Sequence, residues 1–265
     1  MIIDTHCHLD AVEFDADRDE IAILAKQQGV SAIVLPAVAR DNFDAVIKVC
    51  NQHKHCAYAL GIHPMYVNDA LASDIETLKI YVEQNNPVAI GEIGLDYFET
   101  KANLAQQIYF FTEQLKIAKQ YDLPVILHVR HAVDDILKHL RRYIVGGGIA
   151  HAFNGSFQQA EQFIALGFKL GFGGAMTYSR ALKIRELASR LPLEAIVLET
   201  DSPDIPPAWI GSTGRNTPLE LRKIAQVLAD IRQVNVAQVL DITSTNALKV
   251  LPKLADLYTR PQVLL

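Results

Sequence analysis

Val88-Ala89-Ile90-Gly91-Glu92-Ile93-Gly94 is followed by a helix-like stretch over Leu104–Tyr121 and then by Val125-Ile126-Leu127-His128-Val129. Both flanking runs are almost continuously apolar, the pattern of strands buried on both faces. Parallel strands require a crossover of a dozen or more residues, and the amphipathic stretch between these runs supplies one. The segment therefore reads as one strand–helix–strand unit.

The unit repeats in both directions. Runs at Ile2–Thr5, Ala32–Pro36 and Cys56–Gly61 precede it, and runs at Gly148–Ala150, Phe168–Phe172 and Ala195–Glu199 follow. Helix-like stretches separate them at Asp17–Gln28, Asp41–Asn51, Leu71–Asn85, Ala132–Tyr143, Phe157–Leu166 and Arg180–Arg190, with another at Pro218–Ile231 after the last run. In the first of these, Ile21, Leu24 and Ala25 share a face and Gly29 supplies the stop. Eight strand–helix alternations in 265 residues predict an α/β fold, a single-domain (β/α)8 TIM barrel spanning residues 1–265. Gly146-Gly147-Gly148 makes the sixth strand the weakest of the eight. A further helix is expected over Val236–Leu251, and residues 252–265 read as a surface strap.

Composition narrows the class. The chain carries 25 Lys+Arg against 30 Asp+Glu, a formal net charge of −5, and half of it is apolar. That excludes a mainly disordered chain. No apolar stretch approaches the roughly 18 residues of a membrane span. The N-terminus lacks the basic and apolar regions of a signal peptide. Three cysteines, Cys7, Cys50 and Cys56, suit a reducing compartment, so a cytoplasmic location is expected. The acidity argues against a surface that coats nucleic acid, but not against a local grip on one phosphate through metal.

The reactive side chains gather at the C-terminal ends of the expected strands, which converge on one mouth in a barrel. His6 and His8 follow the first strand and His63 the third. Glu92, His128 and His151 end the fourth, fifth and sixth, and Asp201 follows the eighth. Period two puts His6 and His8 on one side, where they can grip a metal or form a buried hydrogen-bonded pair, and turns Cys7 into packing. Asp4 shares their face as an orienting acceptor or a strand-start polar residue. Glu92 needs a cationic partner when buried, either a Lys or Arg or a pair of bridged cations. His128 and His151 could hold a second ion with Glu92, leaving His6, His8 and Asp201 to the first. Asp201 can also accept a proton from water, or simply cap the chain before Ser202-Pro203. Glu199 reads as support beneath Asp201.

His63 can contact a substrate phosphate or protonate a leaving group. Arg130 offers a bidentate phosphate contact or a surface ion pair. Gly214-Arg215-Asn216-Thr217-Pro218 offers donors near the mouth or a turn into a helix. His53, His55, His131 and His139 read as surface residues. Lys138, Arg141 and Arg142 read as a solvated charged face.

Six motifs in order resemble the TatD family of metal-dependent hydrolases, among the amidohydrolase-like barrels. They are Asp4-Thr5-His6-Cys7-His8-Leu9-Asp10, Gly61-Ile62-His63-Pro64, Gly91-Glu92-Ile93-Gly94-Leu95-Asp96-Tyr97, His128-Val129-Arg130, His151-Ala152-Phe153 and Glu199-Thr200-Asp201-Ser202-Pro203. The resemblance implies a divalent-metal site built from His6, His8, Glu92, His128, His151 and Asp201. It also implies phosphodiester hydrolysis with deoxyribonuclease activity. Glu92, where wider amidohydrolases often carry a modified lysine, fits the TatD branch. Val129 stands where the family often has Ser, and Thr217 where it often has Glu, both at substrate-facing positions.

The expected function is a nuclease-type hydrolase with Asp201 and Glu92 catalytic, His63 and Arg130 contacting substrate, and two divalent ions (Zn, Mg or Mn). DNA or another phosphodiester is the expected transient partner, with neither a membrane nor an obligate protein partner. An ester or amide hydrolase acting on a mischarged aminoacyl-tRNA, or a non-catalytic metal-binding protein, are the alternatives.

Overall fold

Period two sorts the strand side chains into two populations, and that sorting builds the molecule. The computed structural model describes residues 1–98 and 103–259. Its strands are β1 (Ile2–Asp4), β2 (Val30–Pro36), β3 (Cys56–Leu60), β4 (Ala89–Asp96), β5 (Val125–Arg130), β6 (Gly148–Ala150), β7 (Phe168–Phe172) and β8 (Ile196–Leu198). They form one parallel sheet in sequential order. Helices α1 (Arg18–Gln27), α2 (Phe43–Gln52), α3 (Ser73–Asn85), α4 (Leu104–Gln120), α5 (Val133–Arg142), α6 (Phe157–Ala165), α7 (Leu182–Arg190) and α8 (Leu221–Arg232) alternate with the strands, and α9 (Val236–Val250) follows. The expected TIM-barrel architecture is present.

One population, including Ile33, Leu35, Leu60, Ile90, Leu127, Leu170 and Ile196, packs outward with the helices in one core. The other, including Ile3, Ala32, Val34, Ala57, Ala59, Ile126, Ile149 and Val197, fills a separate core inside the barrel. Small Ala side chains on β2, β3 and β4 leave room there for the larger Ile and Val from the other strands. Two residues further along β5, β6 and β8, the same inward columns continue as His128, His151 and Glu199. The apolar plug thus becomes the floor of the reactive site.

The seam between β1 and β8 is closed just beyond the strands. Thr5 N–H donates to the Leu198 carbonyl at 3.1 Å, Asp201 N–H to His6 at 2.8 Å, and His8 N–H to Ser202 at 2.7 Å. Asp4 fastens the same seam from within. Its carboxylate accepts Thr200 N–H at 3.0 Å and the Thr200 hydroxyl at 2.6 Å.

Gly148, the last of the three glycines, is what lets β6 run against β5. A Cβ on Gly148 would lie 2.0 Å from the Val125 carbonyl oxygen. Close backbone approach outweighs the low strand propensity of glycine here.

Two expectations are corrected. Residues 252–255 form a turn whose Leu254 is fully buried against the barrel's inner core, followed by the short α10 (Asp256–Thr259). This part of the expected strap is a plug at the bottom of the barrel, because α9 delivers an apolar side chain to its open end. The rest of the expected strap lies outside the described residues. His53 and His55 are buried as well. His53 reaches Asp19 at 2.8 Å, and His55 sits in the tight connection between α2 and β3 that hides it under α1. No described helix is long and apolar enough to cross a membrane.

Candidate metal centre and active site

Glu92 is placed by a break in β-sheet regularity. The β4–β5 register shifts between Ile90 and Ile93, on either side of Glu92. Beyond it, Gly94 adopts φ +152°, where a Cβ would lie 2.0 Å from the His128 carbonyl oxygen. Only glycine lets β4 run this close to β5. The carboxylate is buried, and among the described residues no Lys or Arg pairs with it.

Five imidazoles surround it. Glu92 Oε1 lies 2.9 Å from His151 Nε2, 3.1 Å from His128 Nδ1 and 3.4 Å from His63 Nε2. Oε2 lies 3.2 Å from His6 Nε2 and 3.6 Å from His8 Nε2. The two oxygens therefore face two different sets of nitrogens. Asp201 closes the second set, its Oδ1 at 3.4 Å from His6 and 3.8 Å from His8. Asp201 reaches this place through left-handed backbone, φ +58°, a conformation that Asp tolerates better than most residues.

Charge is concentrated here. Burial alone would raise Glu92, but His151, His63 and His6, with a bond from His128, hold it well below the usual carboxylate range. Burial opposes protonation of His151 and His8. Glu92 and Asp201 outweigh it and push them up to about 10 and about 9. Burial raises Asp201 from its ordinary value, against the pull of His151 and His8.

These donors fit divalent metal. Imidazole and carboxylate atoms within 4.8 Å of one another form the groups His6–His8–Asp201, His6–Glu92–His151 and His63–Glu92–His128. His6 Nε2 and His8 Nε2 face each other at 3.2 Å, and both also face carboxylate oxygen. A proton or a cation must lie among such atoms, and mixed N/O sets suit Zn, Mn and related ions.

The six expected ligands and His63 are thus brought together. His63 is inside the cluster and not at its rim. Its Nδ1 accepts Met65 N–H at 3.1 Å, which leaves Nε2 as the protonated nitrogen, directed at Glu92. Arg130 stands at the edge, with its guanidinium 3.6 Å over the Phe98 ring and 3.9 Å from Asp96. A cleft of ≈ 2030 Å³ opens above the cluster, lined by His8, His63, His128, Arg130, His151 and Asp201.

The supporting residues divide differently from the sequence expectation. Cys7 packs into the core shared with the helices, with its sulfur 3.3 Å from the Ser202 hydroxyl. Asp4 binds the backbone of His6 and Thr200, while His6 Nδ1 has no partner. Asp4 therefore orients the chain rather than a ring. The loop donors are consumed by structure. Arg215 is clamped on Asp17 and the Glu13 carbonyl, and buried Asn216 donates to the carbonyls of Thr200, Asp204 and Ile205. Asp96, which in the sequence is only the end of a motif, accepts from His128 Nε2 at 2.8 Å. Its even spacing from Glu92 along one strand was the available signal.

The sequence pattern of the TatD related DNase family matches residues 3–252. The chain belongs to the TatD family. It is 40% identical over 235 residues to the metal-dependent hydrolase YjjV of Escherichia coli K12, covering 87% of this chain and 90% of that protein. It is 30% identical over 238 residues to a protein of Erwinia billingiae named 3'-5' ssDNA/RNA exonuclease TatD, covering 87% and 91%. The crystal structure of the TatD homologue YjjV superposes with a TM-score of 0.90 at 37% identity, covering 95% of this chain and 98% of that one. As a TatD-family protein this chain is a metal-dependent hydrolase.

Proposed function

We propose that this TatD-family hydrolase is a phosphodiesterase acting on the ends of nucleic-acid strands through a two-ion centre. The carrying observation is the division of Glu92, whose two oxygens face separate sets of imidazoles. His6, His8 and Asp201 would hold one ion, His128 and His151 the other, and Glu92 both. Such ions supply Lewis acidity at the phosphoryl group and lower the pKa of water towards about 7.

The chain's own residues do the rest. Asp201, at the cleft floor, accepts the proton of the attacking water at a carboxylate oxygen. His63 Nε2–H, which rests on Glu92 before substrate binds, is the donor that would turn to a substrate oxygen. Arg130, held flat on Phe98, offers parallel N–H groups to a phosphate above the cluster.

The rim itself is sparing in positive charge. Among the described residues, Arg40, Arg130 and Lys183 line the cleft against a larger number of carboxylates, including Asp10, Asp69, Asp134 and Asp135. This surface cannot follow a long backbone electrostatically, so few phosphates are gripped and strand ends suit it best. The exonuclease named among the relatives supports nucleic acid as the substrate class.

The test is hydrolysis of end-labelled single-stranded DNA by metal-free protein with Mg, Mn or Zn restored, beside Asp201→Asn. Metal-dependent cleavage is expected, with turnover falling by about 10²–10⁴-fold in the variant. No cleavage by protein shown to hold metal would overturn the phosphodiesterase reading and direct trials to carbonyl substrates such as aminoacyl esters.

A further inference from the structure

Asp96, the last residue of β4, is held on all sides. Its backbone N–H donates to Gln107 Oε1 at 2.9 Å, and its carbonyl accepts from Gln107 Nε2 at 2.9 Å. Its Oδ1 accepts Phe98 N–H at 2.8 Å, and its Oδ2 lies 2.8 Å from His128 Nε2. The other ring nitrogen, His128 Nδ1, lies 3.1 Å from Glu92. His128 is therefore aimed at the cluster by one nitrogen and braced from behind by the other.

From this geometry we infer that Asp96 is a positioning residue that fixes the tautomer of His128. The inference rests on the metal reading above. A carboxylate accepts only, so Asp96 holds a ring proton on Nε2, and with a cation in place of a proton on the Glu92 side the Nδ1 lone pair would be free for the centre. Carboxylates behind metal-binding histidines act in this way generally. Glu199 Oε1 lies 3.8 Å from His151 Nδ1, beyond hydrogen-bond distance, and neither that nitrogen nor His6 Nδ1 has a hydrogen-bond partner. Of these three rings, His128 is the one with a carboxylate at hydrogen-bond distance behind it.

The direction of the bonds makes a sharp test. Phe98 N–H can only donate, so in Asp96→Asn the amide oxygen must stay beside it. The amide NH2 then faces His128 Nε2 and turns that nitrogen into an acceptor. The ring proton moves to Nδ1, the nitrogen needed at the centre. Asp96→Ala removes the acceptor but imposes no tautomer.

Zinc affinity of the full chain is measured by competition with a chromophoric chelator, with the thermal midpoint of each metal-free protein as the folding control. Asp96→Asn is expected to weaken zinc binding by about 10–100-fold, and Asp96→Ala by less. In zinc-loaded wild type, 15N NMR of labelled histidine should place the His128 proton on Nε2. Zinc binding by Asp96→Asn as tight as wild type, or a larger loss in Asp96→Ala, would overturn the inference, since packing alone orders the variants that way. A wild-type chain that took up no zinc would overturn the metal reading and this inference with it, and the wild-type titration alone identifies that case.

Discussion

Glu92 Oε1 lies 2.9 Å from His151 Nε2, and its Oε2 lies 3.2 Å from His6 Nε2, although these rings follow β6 and β1, which are not neighbours in the sheet. One side chain therefore joins the two halves of the cluster. Glu92→Gln keeps the shape and removes the charge that both halves share. Bound zinc is expected to fall below the wild-type ratio, and in Glu92→Ala to fall further, with the barrel retained by far-ultraviolet circular dichroism. Plasma emission analysis of dialysed protein measures this. Full occupancy in Glu92→Ala would contradict the shared role.

Arg130 is the more exposed of the two residues assigned to substrate, and it reaches the cluster through a long 3.9 Å contact with Asp96. Arg130→Ala should raise KM several-fold for single-stranded DNA while leaving kcat within about twofold, the mark of lost uniform binding. It should also reduce the salt dependence of KM by about 0.7 in log–log slope, one phosphate contact's worth. An equal fall in kcat and kcat/KM would instead place Arg130 at the transition state.

The barrel was legible because its strands are buried on both faces and its helices on one, which leaves two distinct periods in the sequence. The convergence of six polar residues followed from that, since strand ends of a barrel share one mouth. What stayed hidden depended on contacts between distant segments. His55 reads as a polar loop residue until α1 is seen to cover it. Arg215 and Asn216 read equally as donors near the mouth or as part of a turn into a helix until their acceptors on the Glu13–Asp17 segment and the Thr200–Ile205 turn appear. Asp96 looked like the end of a motif because its partner comes from the next strand.

Asn216 supports Asp201 from outside the cluster. It is fully buried, and its amide donates to Thr200 O at 2.7 Å, Asp204 O at 3.1 Å and Ile205 O at 3.3 Å. These carbonyls flank Asp201 in the chain. Asn216→Ala leaves them without that donor at a cost of about 1–3 kcal/mol in urea unfolding. Turnover should fall more than zinc binding, because the loop that aims Asp201 loosens while the histidines stay in place. Unchanged stability would show that the loop is held elsewhere.

Stability should depend on pH through His55, which lies apart from the cluster. Burial, then the charges of Lys26 and His53, lower it from 6.5 to about 4, and its Nε2 has no partner. The folded protein thus keeps His55 neutral while the unfolded chain protonates it from about 6.5 downward. Stability rises with pH wherever the unfolded state binds more protons. The contribution is therefore complete above about 6.5 and is lost as the pH falls to about 4. The full linkage value would be about 3 kcal/mol, and partial solvent screening reduces it to ~2 kcal/mol. His55→Leu should lose this part of the acid sensitivity. Urea unfolding of both proteins at pH 7.5, 5.5 and 4 isolates it, since every other titrating group is common to the pair. If the stability difference between them stayed constant across that range, His55 would have the same affinity for protons folded and unfolded.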